Sequence, residues 1–420
     1  MVRGRNEQPI VIVGGGIGGF AAALALSRKG FRVQLLEQAS RFAEIGAGLQ
    51  LGPNVFRMFD ELEVTDAVKG LAVFPEHLIM MDCITAQEVT RIPLGQAFLD
   101  RFGQPYAVIH RADLHQVLVN ACRQQRLIDL ETSTKVASFE DTGDGVRAVT
   151  DKGQTFRGSA LIGADGVWST IRSQLVGDGK PRVSGHIAYR AVLPTREMPE
   201  RLRWRSMTIW AGEKTHLVHY PLRVGELFNL VAVFHSDRFT EGWDAFGDVQ
   251  ELHERFAGTC EQVRTLLEKI ESWRMWVLCD RAPIKEWSRG RVALLGDAAH
   301  PMLQYLAQGA NLAIEDAVCL ADQLDREDGD FAAAARAYQN LRYLRTGRMQ
   351  IMARLYGEVY HASGVVREVR NHVLGERTPE QAYESMAWIY DYGAPPRATR
   401  GAAHTGPVRS DPPRQEETHA

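Results

Sequence analysis

No stretch of about 18 or more apolar residues occurs in the 420-residue sequence, so no helix able to cross a bilayer is expected. The N-terminus has no charged segment leading into an apolar region and a cleavage site, so no secretory leader is expected either. Long Lys/Arg runs are also missing and the formal net charge is −3, which leaves nucleic acid and acidic membrane surfaces without the positive footprint they require. Cysteine is scarce: Cys83, Cys122, Cys260, Cys279 and Cys319 are scattered, odd in number and form no C-x-x-C pair. That spacing argues against a thiolate zinc or dithiol site and fits a reducing cytoplasm. No repeat with a period of roughly 20–50 residues is apparent. With 45% hydrophobic residues the chain can still bury a core divided between two or three lobes. The partner these exclusions favour is a small molecule.

The apolar run Ile10–Val13 meets a glycine cluster, then an Ala/Leu-rich helical stretch to about Lys29, then a strand-like run Val33–Glu37. This is a β-α-β unit. From about Gly185 to His235, β-branched and aromatic segments separated by polar or glycine turns predict a mostly antiparallel sheet. A buried strand returns at Val292–Leu295, followed by Gly296-Asp297 and a helix from about Gly309 to Leu324. The first lobe is therefore expected to be discontinuous. Residues 1–184, with small segments allowed to the other lobe, and residues 281–330 would flank a substrate sheet over 185–280. Helices are expected over 331–393, with the strongest pattern at Phe331–Tyr360, and a disordered tail over 394–420.

Gly14, Gly16 and Gly19 form G-x-G-x-x-G between the first strand and helix, and Glu37 closes the next strand about 20 residues on. Glycines at these positions let the backbone turn tightly and approach a pyrophosphate, whose charge suits the positive end of the helix. A carboxylate at Glu37 can accept hydrogen bonds from a ribose diol. The fingerprint alone leaves FAD and NAD both open.

Two further segments follow apolar strands: Gly163-Ala-Asp165-Gly166-Val-Trp-Ser169-Thr-Ile-Arg172 and Gly296-Asp297-Ala-Ala-His300-Pro301. With the fingerprint, and in this order, they resemble the three signature motifs of single-component, class A flavoprotein aromatic hydroxylases over nearly the whole chain to about Tyr392. The resemblance implies an α/β fold: a Rossmann-like FAD domain of the glutathione-reductase type, an inserted antiparallel substrate domain and C-terminal helices. It implies tightly held, non-covalent FAD, with NADH and O2 as co-substrates. Asp165 would bond near the pyrophosphate, with Ser169 and Arg172 bracing its segment. Asp297 would bind a ribityl hydroxyl, and Gly309, Ala310 and Asn311 would present N–H groups to the flavin pyrimidine edge. A helix N-terminus there suits the anionic reduced flavin. Arg111 would reach the cofactor from a helix start and Gln50, in Gly46-Ala-Gly48-Leu-Gln50, would reach the flavin. His300 is read as part of its motif's turn.

A closer similarity is to 3-hydroxybenzoate 6-hydroxylases, carried by His216-Leu-Val-His-Tyr220-Pro-Leu-Arg223 and His300-Pro-Met-Leu-Gln304-Tyr-Leu-Ala-Gln-Gly-Ala310. Salicylate 1-hydroxylases usually have a Thr-Pro-His type segment where this chain has Leu303-Gln304-Tyr305. Strand alternation puts His216, Val218 and Tyr220 on one face and Leu217 and His219 on the other. The resemblance implies that His216 and Gln304 flank the substrate phenol and that Tyr220 orients it. A ring attacks the flavin C4a-hydroperoxide faster with phenolate character, and a 3-hydroxyl directs oxygen to its para carbon, giving 2,5-dihydroxybenzoate. The carboxylate grip, Arg190 or Arg223 among the candidates, and the oligomeric state are left open. The competing readings are salicylate 1-hydroxylation or hydroxylation of another hydroxy-aromatic acid, a flavin protein that hydroxylates nothing, and an NAD-dependent dehydrogenase. The last would need a second, hydride-transfer domain, of which the sequence has no sign.

Overall fold

A computed structural model of the chain describes residues 8–43, 47–237 and 245–394. Gly46 of the glycine stretch and the tail predicted beyond Ala394 lie outside them. Among the described residues, no helix is long and apolar enough to cross a membrane.

One sheet has six strands in the order Ser288–Arg289, Val292–Leu294, Ala160–Gly163, Ile10–Val13, Val33–Leu36 and Ile128–Glu131. All but the first of these run parallel. Parallel strands are covered on both faces, which explains why Ile10–Val13 and Ala160–Gly163 are apolar or glycine and wholly buried. Helix Ile17–Arg28 packs between helices Arg111–Arg123 and Gly309–Arg326.

The second sheet has eight strands, in the order Ala245–Phe246, Arg274–Asp280, Arg182–Pro194, Leu227–His235, Thr215–Leu222, Ser206–Gly212, His77–Asp82 and Glu88–Pro93. Its pairings are antiparallel except for Ser206–Gly212 with His77–Asp82. Two of the strands thus come from residues 77–93, ahead of the stretch whose composition announces the sheet. Pairing across so long a separation is decided by the sheet's free edge and leaves no local mark.

The predicted alternation along Thr215–Leu222 is observed. Leu217 joins a core with Trp210, Leu252, Val263 and Leu266, on the side of helices Val249–Arg255 and Glu261–Glu268. Val218 faces the other way, toward Val231, Val233, Leu303, Tyr305 and Ala353. Ala353 belongs to the 30-residue helix Phe331–Tyr360, whose first turn is capped by the Asp330 carboxylate accepting from the Ala333 N–H at 3.1 Å. That helix begins against the parallel-sheet core, through Phe331, Ala334 and Tyr338, and ends on the antiparallel sheet.

His219 lies on the side away from the long helix, wedged among Trp204, Trp210 and Phe228, with neither ring nitrogen partnered. Burial pushes its pKa down to about 3. The unfolded chain binds a proton here that the folded chain refuses, so stability is full above the ordinary histidine value of about 6.5 and falls as pH drops below it. His219→Leu is expected to remove about 2 kcal/mol of the destabilisation between pH 7 and 5, measured by urea unfolding at both values. Parallel profiles for the two proteins would show that His219 takes no part in this loss.

Candidate active site

Four neighbouring parallel strands end in the motif residues. Gly14 follows Val13, Glu37 follows Leu36, Asp165 lies just past Gly163, and Gly296-Asp297 lies just past Leu294. In open α/β sheets ligands bind outside these carboxyl ends. Gly14 has φ of +109°, and a Cβ there would sit 2.4 Å from the Ala164 carbonyl oxygen. A Cβ on Gly19 would lie 1.9 Å from the Gly14 oxygen, so the loop closes only on glycine. Glu37 holds the loop from below, its carboxylate accepting from the N–H groups of Gly15 at 2.6 Å and Ala39 at 2.7 Å. His115 Nε2 lies 2.7 Å from the Gly15 carbonyl and fixes the loop from helix Arg111–Arg123.

Helix Ile17–Arg28 starts at Gly16 with no side-chain cap and no acidic residue in its first turn. Helix Gly309–Arg326 starts at Gln308 in the same condition. Each leaves unsatisfied N–H groups and the equivalent of about half a positive charge at its start. Gly18 packs against Leu295 and Ala313, so the two helices lie close near these ends. Asp297 is exposed between buried Gly296 and Ala298, and a Cβ on Gly309 would lie 3.7 Å from its Oδ1. The Asn311 amide donates to the Gln50 carbonyl at 3.3 Å, while its Oδ1 is buried without a partner. A glycine cradle, two uncapped helix starts, the exposed carboxylate of Asp297 and an orphaned amide oxygen fit a dinucleotide with a diphosphate and a polar ring system. These features suit FAD.

The cradle is braced from behind. The Asp165 carboxylate turns onto its own segment, accepting from the Ser169 hydroxyl at 2.5 Å and the Ile171 N–H at 3.1 Å, and burial pushes its pKa up. Ser169 Oγ in turn caps Arg172 N–H at 2.8 Å. The buried Arg172 guanidinium donates to the carbonyls of Ala298 and Ala299 at 2.9 and 2.5 Å and pairs with Asp178, tying the second motif to the third. His300 Nε2 sits 2.5 Å from buried Asp316, which also accepts from the Gly296 N–H and from Arg342. Asn54 donates to Gln308 and Glu315 at 3.0 and 2.7 Å, fixing the start of helix Gly309–Arg326. Neither Asn54 nor His115 has a sequence spacing that marks a brace.

Arg111 begins its helix with its N–H on the Ala47 carbonyl at 3.0 Å. Gln50 Oε1 accepts from the Tyr106 hydroxyl at 2.5 Å. Tyr220 is buried with its ring against Gly48, where a Cβ would fall 2.4 Å from it. His216 and Gln304 have separate hydrogen-bond partners. His216 Nδ1 is 2.8 Å from His361 Nε2, and Gln304 Oε1 accepts from Arg190. Burial pushes His216 down to about 3.

Between Arg190 and Arg223 the sequence leaves the choice open, and burial separates them. Arg190 lines a cavity of about 530 Å³ with Ala47 and Trp276, lies 5.3 Å over the Trp276 ring, and has Nε unpartnered. Burial lowers its pKa to about 10, with smaller effects from the Tyr220 phenol and from Arg111, and Glu197 and Glu271 line the same cavity. Arg223, by contrast, is exposed and paired with Asp113 through two bonds of 3.0 and 2.9 Å.

A dinucleotide cradle on a parallel sheet, beside an antiparallel sheet one face of which carries His216 and Arg190, is the arrangement of an FAD-dependent monooxygenase. The sequence profile of the FAD binding domain family matches residues 7–329, and the chain belongs to this family. It is 47% identical to a 3-hydroxybenzoate 6-hydroxylase of Polaromonas naphthalenivorans over 92% of this chain and 96% of that one. It is 45% identical to 3-hydroxybenzoate 6-hydroxylase 1 of Aquipseudomonas alcaligenes, covering 91% and 97%. Among solved structures, a salicylate hydroxylase substrate complex superposes with a TM-score of 0.78 at 26% identity, covering 92% and 95%. The chain is an FAD-dependent aromatic hydroxylase.

Gly19→Ala is expected to lower flavin occupancy of the purified protein roughly tenfold or more, read from the ratio of absorbance near the oxidised-flavin band to that of protein. Full occupancy with an unchanged melting temperature would show that the loop tolerates the Cβ.

Proposed function

We propose that this chain hydroxylates 3-hydroxybenzoate at carbon 6, para to its hydroxyl, consuming NADH, a proton and O2 and releasing 2,5-dihydroxybenzoate (gentisate), NAD⁺ and water. The observation that carries this reading is one face of the antiparallel sheet on which Arg190, bonded to the neutral Gln304 amide, and the histidine base His216 stand at separate points. A meta-hydroxy acid presents a carboxylate and a phenol at such separated points. Both 3-hydroxybenzoate 6-hydroxylases described above support the same choice.

Bound FAD, reduced by the nicotinamide, supplies an electrophilic oxygen derived from O2. The chain's own residues prepare the ring to meet it. Arg190 grips the carboxylate, His216 Nε2 takes the phenolic proton, and the Gln304 amide holds the same oxygen without changing charge. The Arg190–Gln304 contact links the grip to the phenol holder. Tyr220 orients the ring. Val218, Val231, Leu303 and Tyr305 form an apolar and phenolic cluster on the His216 face of the sheet, which limits water there and so limits wasteful peroxide release. On the cofactor side, Glu37 takes the ribose diol, Asp297 a ribityl hydroxyl, and Gly309, Ala310 and Asn311 the pyrimidine edge. Arg111 and Gln50 complete the flavin surroundings, and residues 185–280 make the larger part of the substrate lobe.

The test is a screen of the three monohydroxybenzoates with NADH, identifying the product and the share of O2 released as peroxide. One gentisate per NADH from the 3-hydroxy isomer is expected, and catechol from salicylate as the main product would reject the reading. Arg190→Met is expected to raise KM for the acid roughly 10- to 100-fold with a smaller change in kcat. His216→Ala is expected to retain FAD and to slow hydroxylation by about 10²- to 10⁴-fold. Unchanged KM in the first, or unchanged rate and coupling in the second, removes that residue from its role.

A further inference from the structure

His216 does not end at a wall. Its Nδ1 meets His361 Nε2 at 2.8 Å, and His361 Nδ1 meets His235 Nε2 at 2.8 Å. His361 caps the C-terminal end of helix Phe331–Tyr360, and its carbonyl accepts from the Lys214 N–H at 3.2 Å. His216 and His361 are buried, whereas His235, at the end of its strand, is only half-buried. His186 stacks on His235 with ring centres 4.0 Å apart and bonds Tyr305 Oη through Nδ1 at 2.5 Å, which holds the outer ring in place.

We propose that His216, His361 and His235 form a proton relay that carries the substrate's phenolic proton out of the closed pocket to solvent. This rests on the reading that His216 takes that proton. A neutral imidazole has one N–H and one lone pair, so a chain of three joined nitrogen to nitrogen has only two consistent arrangements. With His216 Nε2 free to accept, His216 Nδ1–H donates to His361 and His361 Nδ1–H donates to His235. The phenolic O–H bond then breaks as the proton joins His216 Nε2. The His216 Nδ1 proton passes to His361 Nε2, the His361 Nδ1 proton to His235 Nε2, and the His235 Nδ1 proton to water. No electrons leave the substrate; it becomes the phenolate, and the chain is left in the opposite arrangement.

Storage of the proton on any one ring is unfavourable. Burial and the neighbouring imidazoles push His216 down to about 3, His361 falls further for the same reasons, and burial also lowers His235. Among the described residues no carboxylate bears on His216 or His361; Tyr305 and Tyr360 border them, and Glu358, Lys214 and Arg255 act on His235 at the outer end. A base that cannot keep a proton must hand it on.

The experiment uses FAD-loaded enzyme and compares wild type, His216→Ala, His361→Phe and His235→Asn by single-turnover hydroxylation and by the phenolate absorbance of bound 3-hydroxybenzoate. His361→Phe is expected to bind substrate within about twofold of wild type, to slow phenolate formation and hydroxylation roughly tenfold or more, and to recover with added imidazole. His235→Asn, at the half-exposed end, is expected to act in the same direction, so the relay stays testable even where His361→Phe fails to fold. Slow His216→Ala beside unaltered His361→Phe and His235→Asn would overturn the relay and leave the reaction assignment standing. An unaltered His216→Ala would remove the premise itself. The nitrogens of His186, His235 and His361 lie within 4.8 Å of one another. One divalent metal per chain in the purified active enzyme would tie up those lone pairs and would also overturn the relay.

Discussion

The arrangement on which both halves of the molecule depend is the buried ionic knot around Asp316. Its carboxylate accepts from the Gly296 N–H at 3.1 Å, from His300 at 2.5 Å and from Arg342 at 2.7 Å. Arg342 also pairs with Glu315 at 2.7 Å, all three charged side chains being fully buried. Burial works against the charge on Asp316, but His300 and Arg342 together hold its carboxyl well below the usual carboxylate range. Breaking such a knot from one side costs about 3–5 kcal/mol, because it strands charge in the interior. What the knot secures is placement: it locks the turn that carries Asp297 onto the helix that reaches the antiparallel sheet.

The two sheets divide the chemistry accordingly. The parallel sheet contributes backbone: glycines, helix starts and carbonyls fixed by Arg172, His115 and Asn54. The antiparallel sheet contributes side chains on one face, where strand alternation sends His216 and Tyr220 inward while Leu217 and His219 pack against a separate core. A backbone cradle recognises a cofactor by shape and partial charge and tolerates little change. A side-chain face can be re-cut residue by residue, which is how one framework accommodates relatives named for different aromatic acids.

Much of this was legible because it is local. The three glycine motifs follow apolar strands, and Phe331–Tyr360 has the bounds its helical spacing predicts. The alternation that pairs His216 with Tyr220 is a property of strand geometry alone. What could not be read is set by contacts across the chain. Strands His77–Asp82 and Glu88–Pro93 join a sheet announced only by later residues. Asp165 spends its carboxylate on Ser169 and Ile171, a choice decided by helix capping. Arg190 and Arg223 are equivalent letters until one is buried against the Gln304 amide and the other meets Asp113. His361 follows a helix with no motif around it, and its link to His216 spans 145 positions.

The long helix makes register a constraint of its own. Along one side it presents Arg342 to the ionic knot, Gln350 to the Arg281 and Pro301 carbonyls, Gly357 to the Tyr305 ring, and finally His361 to His216. An α-helix turns about 100° per residue, so one inserted or deleted position between Arg342 and His361 would swing every later contact off this line. Substitutions on its outer surface, at Leu344 or Ile351, disturb none of these contacts. The segment is therefore free to drift in composition while its length is frozen, and lineages descending from this framework should differ there in letters and not in count.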